Sequence, residues 1–216
     1  MRSRRIAVTQ RVDAVADRDE RRDALDQEWC RLLAEHGALP VLVPNVLADV
    51  VAFLEALAVD GVILTGGNDL PGLQGASADA PERDACERAV LGWCSERQIP
   101  LVGVCRGMQL LVQEYGGQLD PISNHVGVMH PLVVTSAALP EIQERTVNSF
   151  HAFGSVASDV GPELEVLAYA PDGVVEMVRH RQRPQWGMMW HPERAPQDAR
   201  DWQLIERLLE LTPCTT

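Results

Sequence analysis

The 216-residue sequence has no lysine, so all 19 of its basic side chains are arginines. Without lysine there is no Schiff-base nucleophile, no imine-held cofactor and no phosphate-cradling P-loop lysine. Positive charge is scarce in general: 31 acidic side chains leave a formal net charge of −12. A surface of that sign repels the phosphate backbone unless arginines gather on one face, and no such gathering exists along the chain. No nucleic-acid partner is therefore expected. Apolar runs of membrane-spanning length are also missing. The start, Met1-Arg2-Ser3-Arg4-Arg5, is basic like the first region of a signal peptide, but the apolar run from Ile6 to Val8 is too short to continue one. Neither a Cys-x-x-Cys nor an i,i+4 histidine pair occurs, so neither a metal nor a cofactor is expected. The cysteines Cys30, Cys86, Cys94, Cys105 and Cys214 are odd in number and come without an export signal, which points to free thiols in the cytoplasm.

The remaining composition, 46% hydrophobic and 23% charged, is ordinary for a packed globular protein and excludes disorder and coiled coil. The length suits one domain over residues 1–216, and no repeat, linker or low-complexity stretch interrupts it. Short β-branched runs alternate with longer amphipathic ones, the rhythm of βαβ units. Strands are expected at 5–10, 41–44, 61–65 and 100–104, and helices at 19–37, 48–59, 80–98 and 106–115. After Asp120 the pieces become shorter and β-rich, at 132–135, 146–148, 165–170, 174–179 and 185–190. Pro171-Asp172-Gly173 marks a hairpin among them, and a last helix covers 195–211. The pattern predicts an α/β fold: a mostly parallel sheet with helices on both faces and a small antiparallel β addition in the C-terminal half.

Gly103-Val104-Cys105-Arg106-Gly107 is a G-x-C-x-G form of the nucleophile elbow. In such a turn a strand passes abruptly into a helix, and flanking glycines permit strained backbone and close neighbouring chain. A cysteine there sits at the positive end of a helix dipole, which favours thiolate. A lone cysteine after a core strand is usually packing, but strand, glycine, cysteine, glycine and helix in succession favour a nucleophile. Such a nucleophile needs a base and a group to orient it. Trp190-His191-Pro192-Glu193 supplies both, since residues two apart in extended chain point the same way.

Ligands of open parallel sheets bind beyond the carboxyl ends of the strands. Residues 9–11, 66–69, 105–107 and 191–193 all fall there. The backbone N–H groups of Gly67 and Arg106 are candidates for an oxyanion hole. His125 and His130 are read as solvated loop residues, Cys86 and Cys94 as helix packing, and Trp29, Trp93, Trp186 and Trp202 as core or helix faces.

Five ordered motifs carry a resemblance: Leu64-Thr65-Gly66-Gly67-Asn68, Pro81-Glu82-Arg83-Asp84 with Glu87, Val104 to Gln109, Val147 to His151, and Trp190 to Glu193. With them the chain resembles the class I glutamine amidotransferase-like superfamily, and within it the γ-glutamyl-γ-aminobutyrate hydrolases. The resemblance implies a flavodoxin-like sheet, a γ-glutamyl thioester on Cys105, and a triad completed by His191 and Glu193. It also implies that Gly66, Asn68, Gln109, Asn148, Ser149, Phe150 and His151 surround a small-molecule γ-glutamyl substrate. A further similarity, in Thr9-Gln10-Arg11, residues 22–29, 65–70 and 189–194, is to the γ-glutamyl-CDP-amidate hydrolases of capsular phosphoramidate pathways. The short loop 70–80 departs from the aminobutyrate hydrolases, and Arg11 and Arg22 suit an anionic leaving group because guanidinium binds phosphate bidentately. Aminobutyrate release, or ammonia delivery to a synthase partner, stand as alternatives, and a homodimer is left open.

Overall fold

The computed structural model describes residues 2–76, 80–195 and 198–211. Cys214, residues 77–79 of the short loop and residues 196–197 of the last expected helix lie outside the described residues. Along the chain run β1 (Arg5–Thr9), β2 (Arg11–Val15), β3 (Glu20–Ala24), α1 (Gln27–Glu35), β4 (Leu39–Val43), α2 (Val50–Leu57), β5 (Gly61–Leu64), α3 (Pro81–Arg97), β6 (Leu101–Val104) and α4 (Arg106–Glu114). There follow β7 (Asp120–Pro121), β8 (Val126–Pro131), β9 (Val133–Val134), β10 (Thr146–Phe150), β11 (Phe153–Gly154), β12 (Leu164–Tyr169), β13 (Val175–His180), β14 (Gln185–Met188) and α5 (Ala199–Leu208).

Eight strands form one sheet in the order β4-β1-β5-β6-β14-β13-β12-β9. The neighbours from β4 to β14 pair in parallel, and β13, β12 and β9 continue the sheet antiparallel. The mostly parallel α/β fold is thus as expected, although the antiparallel part extends the main sheet rather than standing beside it. The central strands β5 and β6 are buried throughout because helices cover both faces. Successive side chains alternate between those faces. Ile6, Val8, Ile63 and Val102 pack with Trp29 and Leu33 of α1 and Trp202 and Ile205 of α5. Ala7, Val62, Leu64 and Leu101 pack with Leu54 of α2, Val90 and Trp93 of α3, and Met108 and Leu111 of α4. Aspartates start three of the helices: Asp26, Asp49 and Asp198 accept from the backbone N–H of Glu28, Ala52 and Arg200. Among the described residues no helix is long and apolar enough to cross a membrane.

One expectation fails near the N-terminus. The helix expected at 19–37 occupies only Gln27–Glu35, and residues 11–24 instead form the antiparallel hairpin β2–β3, in register Arg11 to Ala24 and Asp13 to Arg22. Helix-forming residues at 20–24 are almost wholly exposed, so no apolar stripe holds them to the sheet as a helix. Pairing with β2 satisfies their backbone instead. Strand β8, unexpected from sequence, pairs antiparallel with β10.

Candidate active site

Strands β6 and β14 are parallel neighbours, with Val104 opposite Met188, and the Cys105 backbone N–H continues the ladder by donating to the Met188 carbonyl at 2.8 Å. The chain beyond β6 and the chain beyond β14 therefore emerge side by side, although 86 positions separate Cys105 from His191. Cys105 has φ 51° and ψ −104°, left-handed backbone that a non-glycine residue adopts only under constraint. Space explains the flanking glycines. A Cβ on Gly103 would lie 2.5 Å from the Gly107 carbonyl oxygen, and one on Gly107 would lie 2.4 Å from the Leu64 carbonyl oxygen. Arg106 opens α4, so its backbone N–H has no acceptor within the helix.

His191 is buried, and its Nδ1 lies 2.7 Å from Glu193 Oε1. Its Nε2 and the Cys105 Cβ each lie 3.5 Å from where a Gly66 Cβ would be, while His191 Cε1 would be only 2.7 Å away, so any side chain at 66 displaces the imidazole. Burial alone would lower the His191 pKa, but contact with the Cys105 thiol and the Glu193 carboxylate raises it to about 9.

A buried charge network lies beneath the Gly66–Gly67 turn. Arg83 gives its Nε to Glu87 at 2.8 Å, its NH2 to the Thr65 carbonyl at 2.7 Å, and its NH1 to the carbonyls of Gly66 and Gly67 at 3.0 and 2.6 Å. Arg106 completes it with bonds to Glu87 and Asp84, and the Thr9 hydroxyl donates to Glu87 at 2.7 Å. Burial alone would raise the Glu87 pKa, yet Arg83 and Arg106 hold it below its usual value. A trans peptide sets C=O and N–H on opposite sides, so fixing the Gly66 carbonyl on Arg83 turns the Gly67 N–H away from the guanidinium. In the sequence this α3 segment is only part of a motif. Its role becomes visible once the Gly66–Gly67 carbonyls are seen to need a donor.

The other expected substrate residues divide. Gln109, Phe150 and His151 line a cavity of about 290 Å³ with Cys105, Gly67 and Asn68. Gly66 and Arg11 line a second cavity of about 260 Å³ with His191, Glu193, Asp13, Asp26 and Arg194, and Gly67 belongs to both. Trp29, expected to be core, is core and also reaches this second wall. Asn68, by contrast, uses its amide on the hairpin: Oδ1 accepts from the Val12 N–H at 2.8 Å, and Nδ2 donates to the Val12 carbonyl at 2.9 Å. Asn148 grips His191 in the same way, accepting from its backbone N–H and donating to its carbonyl, both at 2.8 Å. The Ser149 hydroxyl donates to the His125 carbonyl at 2.8 Å and is fully buried. The amides of Asn68 and Asn148 and the hydroxyl of Ser149 thus bond to backbone within the protein. Arg22 pairs with Glu20 on the exposed hairpin.

The expectation that His125 and His130 are solvated is overturned, because β8 carries the pair inward against Glu176. Burial alone would raise the Glu176 pKa, but His125, His130 and His151 hold it well below the usual carboxylate range. Donor atoms of His125, His151 and Glu176 lie within 4.8 Å of one another, close enough to share a metal ion. The expected absence of metal rests on local spacing, whereas the fold gathers these residues from three separate strands and loops. Cys30, Cys86, Cys94 and Cys105 are free thiols, and burial pushes the Cys86 thiol up to about 12, where it is inert.

A family model described as Peptidase C26 matches residues 6–193. A γ-glutamyl-γ-aminobutyrate hydrolase of Escherichia coli O157:H7 is 34% identical over 201 residues, covering 78% of each chain. A γ-glutamyl-CDP-amidate hydrolase of Campylobacter jejuni is 30% identical over 190 residues, covering 88% of this chain and 90% of the relative. Among solved structures, a protein described as a GMP synthase component from Thermoplasma acidophilum superposes with a TM-score of 0.71 at 18% identity, over 98% of this chain and 94% of its own. A glutamine amidotransferase from Thermotoga maritima gives 0.66 at 13% identity, over 97% and 84%. Both likenesses establish the fold.

Proposed function

The chain belongs to the Peptidase C26 family, and from that premise we propose that it is a cysteine hydrolase of a small γ-glutamyl amide, acting as one domain. The observation that carries the reading is the meeting of Cys105, in its left-handed elbow, with a His191 already held by Glu193. The Cys105 thiolate attacks the γ-carbonyl carbon, and the N–H groups of Arg106 and Gly67 receive the developing oxyanion. As the C–N bond breaks, the His191 imidazolium gives its proton to the departing nitrogen, leaving a γ-glutamyl thioester. His191 then takes a proton from water, whose oxygen attacks the thioester. Glutamate leaves, and the thiolate and imidazolium are restored. Glu193 holds the ring and stabilises its cation. No metal or cofactor takes part in these steps.

The cavity shared by Cys105, Gln109 and Phe150 suits the glutamyl half, and the cavity beside His191 suits the leaving group. Arg11 and Arg194 both line the latter, together with Asp13, Asp26 and Glu193, and a guanidinium there can take an anionic leaving group, Arg11 being paired with Asp13 at 2.7 Å. The similarity to a γ-glutamyl-CDP-amidate hydrolase over most of both chains supports a nucleotide phosphoramidate. The similarity to γ-glutamyl-γ-aminobutyrate hydrolases supports aminobutyrate as the second reading, since guanidinium also binds its carboxylate. Free thiols at four described cysteines support a cytoplasmic setting.

The test is a panel assay of the purified chain, without partners, on a γ-glutamyl nucleotide phosphoramidate, γ-glutamyl-aminobutyrate and glutamine. The phosphoramidate should give the highest kcat/KM. Preference for aminobutyrate selects the second reading. Turnover of glutamine alone, appearing only when a synthase is added, overturns the hydrolase assignment.

A further inference from the structure

Glu176 is completely buried on β13, and three imidazoles converge on its Oε1: His125 Nδ1 at 3.5 Å, His130 Nε2 at 3.3 Å and His151 Nε2 at 3.3 Å. The far nitrogen of each ring is also engaged. His151 Nδ1 lies 3.0 Å from the Phe153 carbonyl oxygen, His130 Nδ1 lies 3.3 Å from that of Pro131, and His125 Nε2 lies 3.0 Å from the Asp172 carboxylate. Carbonyls and carboxylates only accept, so each far nitrogen carries the ring's proton, and each near nitrogen of a neutral ring presents a lone pair. Ser149 brings its oxygen to 3.3 Å from His125 Nδ1 but gives its own proton to the His125 carbonyl. His130 Nε2, His151 Nε2 and both Glu176 oxygens consequently have no hydrogen-bond partner.

Three lone pairs facing a buried anionic oxygen repel one another unless positive charge lies between them. Histidines that bind a metal have this pattern: the outer N–H is fixed by a carboxylate or backbone carbonyl, and the inner nitrogen is aimed at the ion. The spacing agrees too. Tetrahedral bonds of about 2.0–2.1 Å to zinc place neighbouring donor atoms roughly 3.3–3.4 Å apart, the His125 and His151 nitrogens lie 3.5 and 3.3 Å from Glu176 Oε1, and all three donor atoms lie within 4.8 Å of one another.

We propose that Glu176, His125 and His151 form a structural site for a divalent transition-metal ion, zinc being the best match to two imidazoles and one carboxylate, with His130 packed against the same carboxylate oxygen. The three donors come from separate segments of the chain, so the ion's task is to tie those segments together. It joins β13, the start of β8 and the chain after β10. His151 lines the Cys105 cavity, and the Phe153 carbonyl that orients His151 also accepts from Gln109 at 3.0 Å. The ion thereby fixes the wall of the glutamyl pocket from behind. None of this draws on the hydrolase reading, and either can fail alone.

The test uses the full chain made without a polyhistidine tag. Its metal content after gel filtration should be one zinc per chain. Chelator-stripped protein titrated with Zn2+ alone should regain one equivalent, and with Co2+ alone should develop the visible bands of a tetrahedral nitrogen and oxygen site. Glu176→Gln should lose binding. Because that buried change also threatens folding, Asp172→Asn on the exposed hairpin turn is the second variant: it should stay folded and bind 10- to 100-fold more weakly, the usual cost of removing a histidine's outer partner. A folded wild-type chain that takes up neither Zn2+ nor Co2+, or an Asp172→Asn chain that binds as tightly as wild type, overturns the proposal and leaves a carboxylate among protonated imidazoles.

Discussion

Two buried polar clusters reach the helix of the nucleophile, and they are built on opposite terms. Arg83, Arg106, Asp84 and Glu87 set two cations against two anions, and every one of them is bonded to another. His125, His130, His151 and Glu176 set one carboxylate against three rings whose outer nitrogens are already taken. The first cluster balances its charges with what the chain supplies and leaves only Arg106 Nε without a partner, while the second leaves two imidazole nitrogens and both oxygens of its one carboxylate unmatched. A low-dielectric interior tolerates the first arrangement and penalises the second unless something from outside completes it. The difference separates a polar core that only positions the turn above it from one that is shaped to receive an ion.

Cys105 is linked to both clusters, through Arg106 and through Gln109 on α4, and its removal gives the largest effect. Cys105→Ala should lower kcat by at least about 10⁴-fold, the scale seen when a covalent nucleophile is deleted. Its circular dichroism and melting should stay as in wild type. Cys86→Ala, on α3, should leave the rate unchanged. Substantial turnover in Cys105→Ala would remove the thiol from the chemistry.

Next in size is a break in the charge-balanced cluster. Glu87→Ala leaves Arg83 and Arg106 buried with too little negative charge, a loss expected to destabilise folding by about 3–5 kcal/mol in urea titrations. The loss should be the same with and without chelator, because this cluster needs no ion. A chelator-dependent loss would mean that the two clusters are one cooperative unit.

The triad itself is intermediate. Glu193→Gln keeps shape and removes charge, and kcat should fall by about 10- to 10³-fold, less than the loss of about 10⁴ in serine triads, since sulfur is intrinsically more nucleophilic than a hydroxyl and leans less on its base. Its sign in pH follows from the raised His191 pKa. The imidazolium persists up to about 9, so both its contribution to stability and its role as acid are present at neutral pH and are lost as pH rises through that value. Without the carboxylate the pKa falls, and the alkaline limb of kcat/KM should move to lower pH. An unmoved limb with an unchanged rate would reduce the site to Cys105 and His191. Smallest is Arg11→Ala, which should raise KM more for the phosphoramidate than for glutamine. Equal changes would place Arg11 at the glutamyl half or in the hairpin alone.

What can be read from the sequence is local. The elbow shows in five consecutive residues, because two backbone collisions force glycine at 103 and 107. His191 and Glu193 show because one short segment holds both. The parallel core shows in runs such as 61–65 that are apolar on every face. Long-range convergence does not show: Glu176 lies 51 positions beyond His125, on a strand of a different sheet from β8, and only the folded chain brings the two side chains to 3.5 Å. Asn68 and Asn148 fall near the site as their motifs suggest, but their chemistry is not legible there, since an amide that grips backbone and one that grips substrate are the same residue in a string of letters. The hairpin at 11–24 is hidden because Glu20, Arg21, Arg22 and Ala24 of its second strand favour helix while β2 offers a better partner for their backbone.

That hairpin also bears on how the site is divided. It gives Arg11, Asp13 and Ala24 to the cavity beside His191, yet no strand of the main sheet pairs with it, and the Asn68 amide clasps it at Val12. Cys105, His191 and Glu193 lie beyond the ends of β6 and β14, neither of which pairs with the hairpin. Under the proposed function, the part that meets the leaving group and the part that breaks the bond are therefore separate pieces of chain, and a swap of residues 11–24 between relatives should transfer leaving-group preference while kcat on glutamine stays that of the recipient.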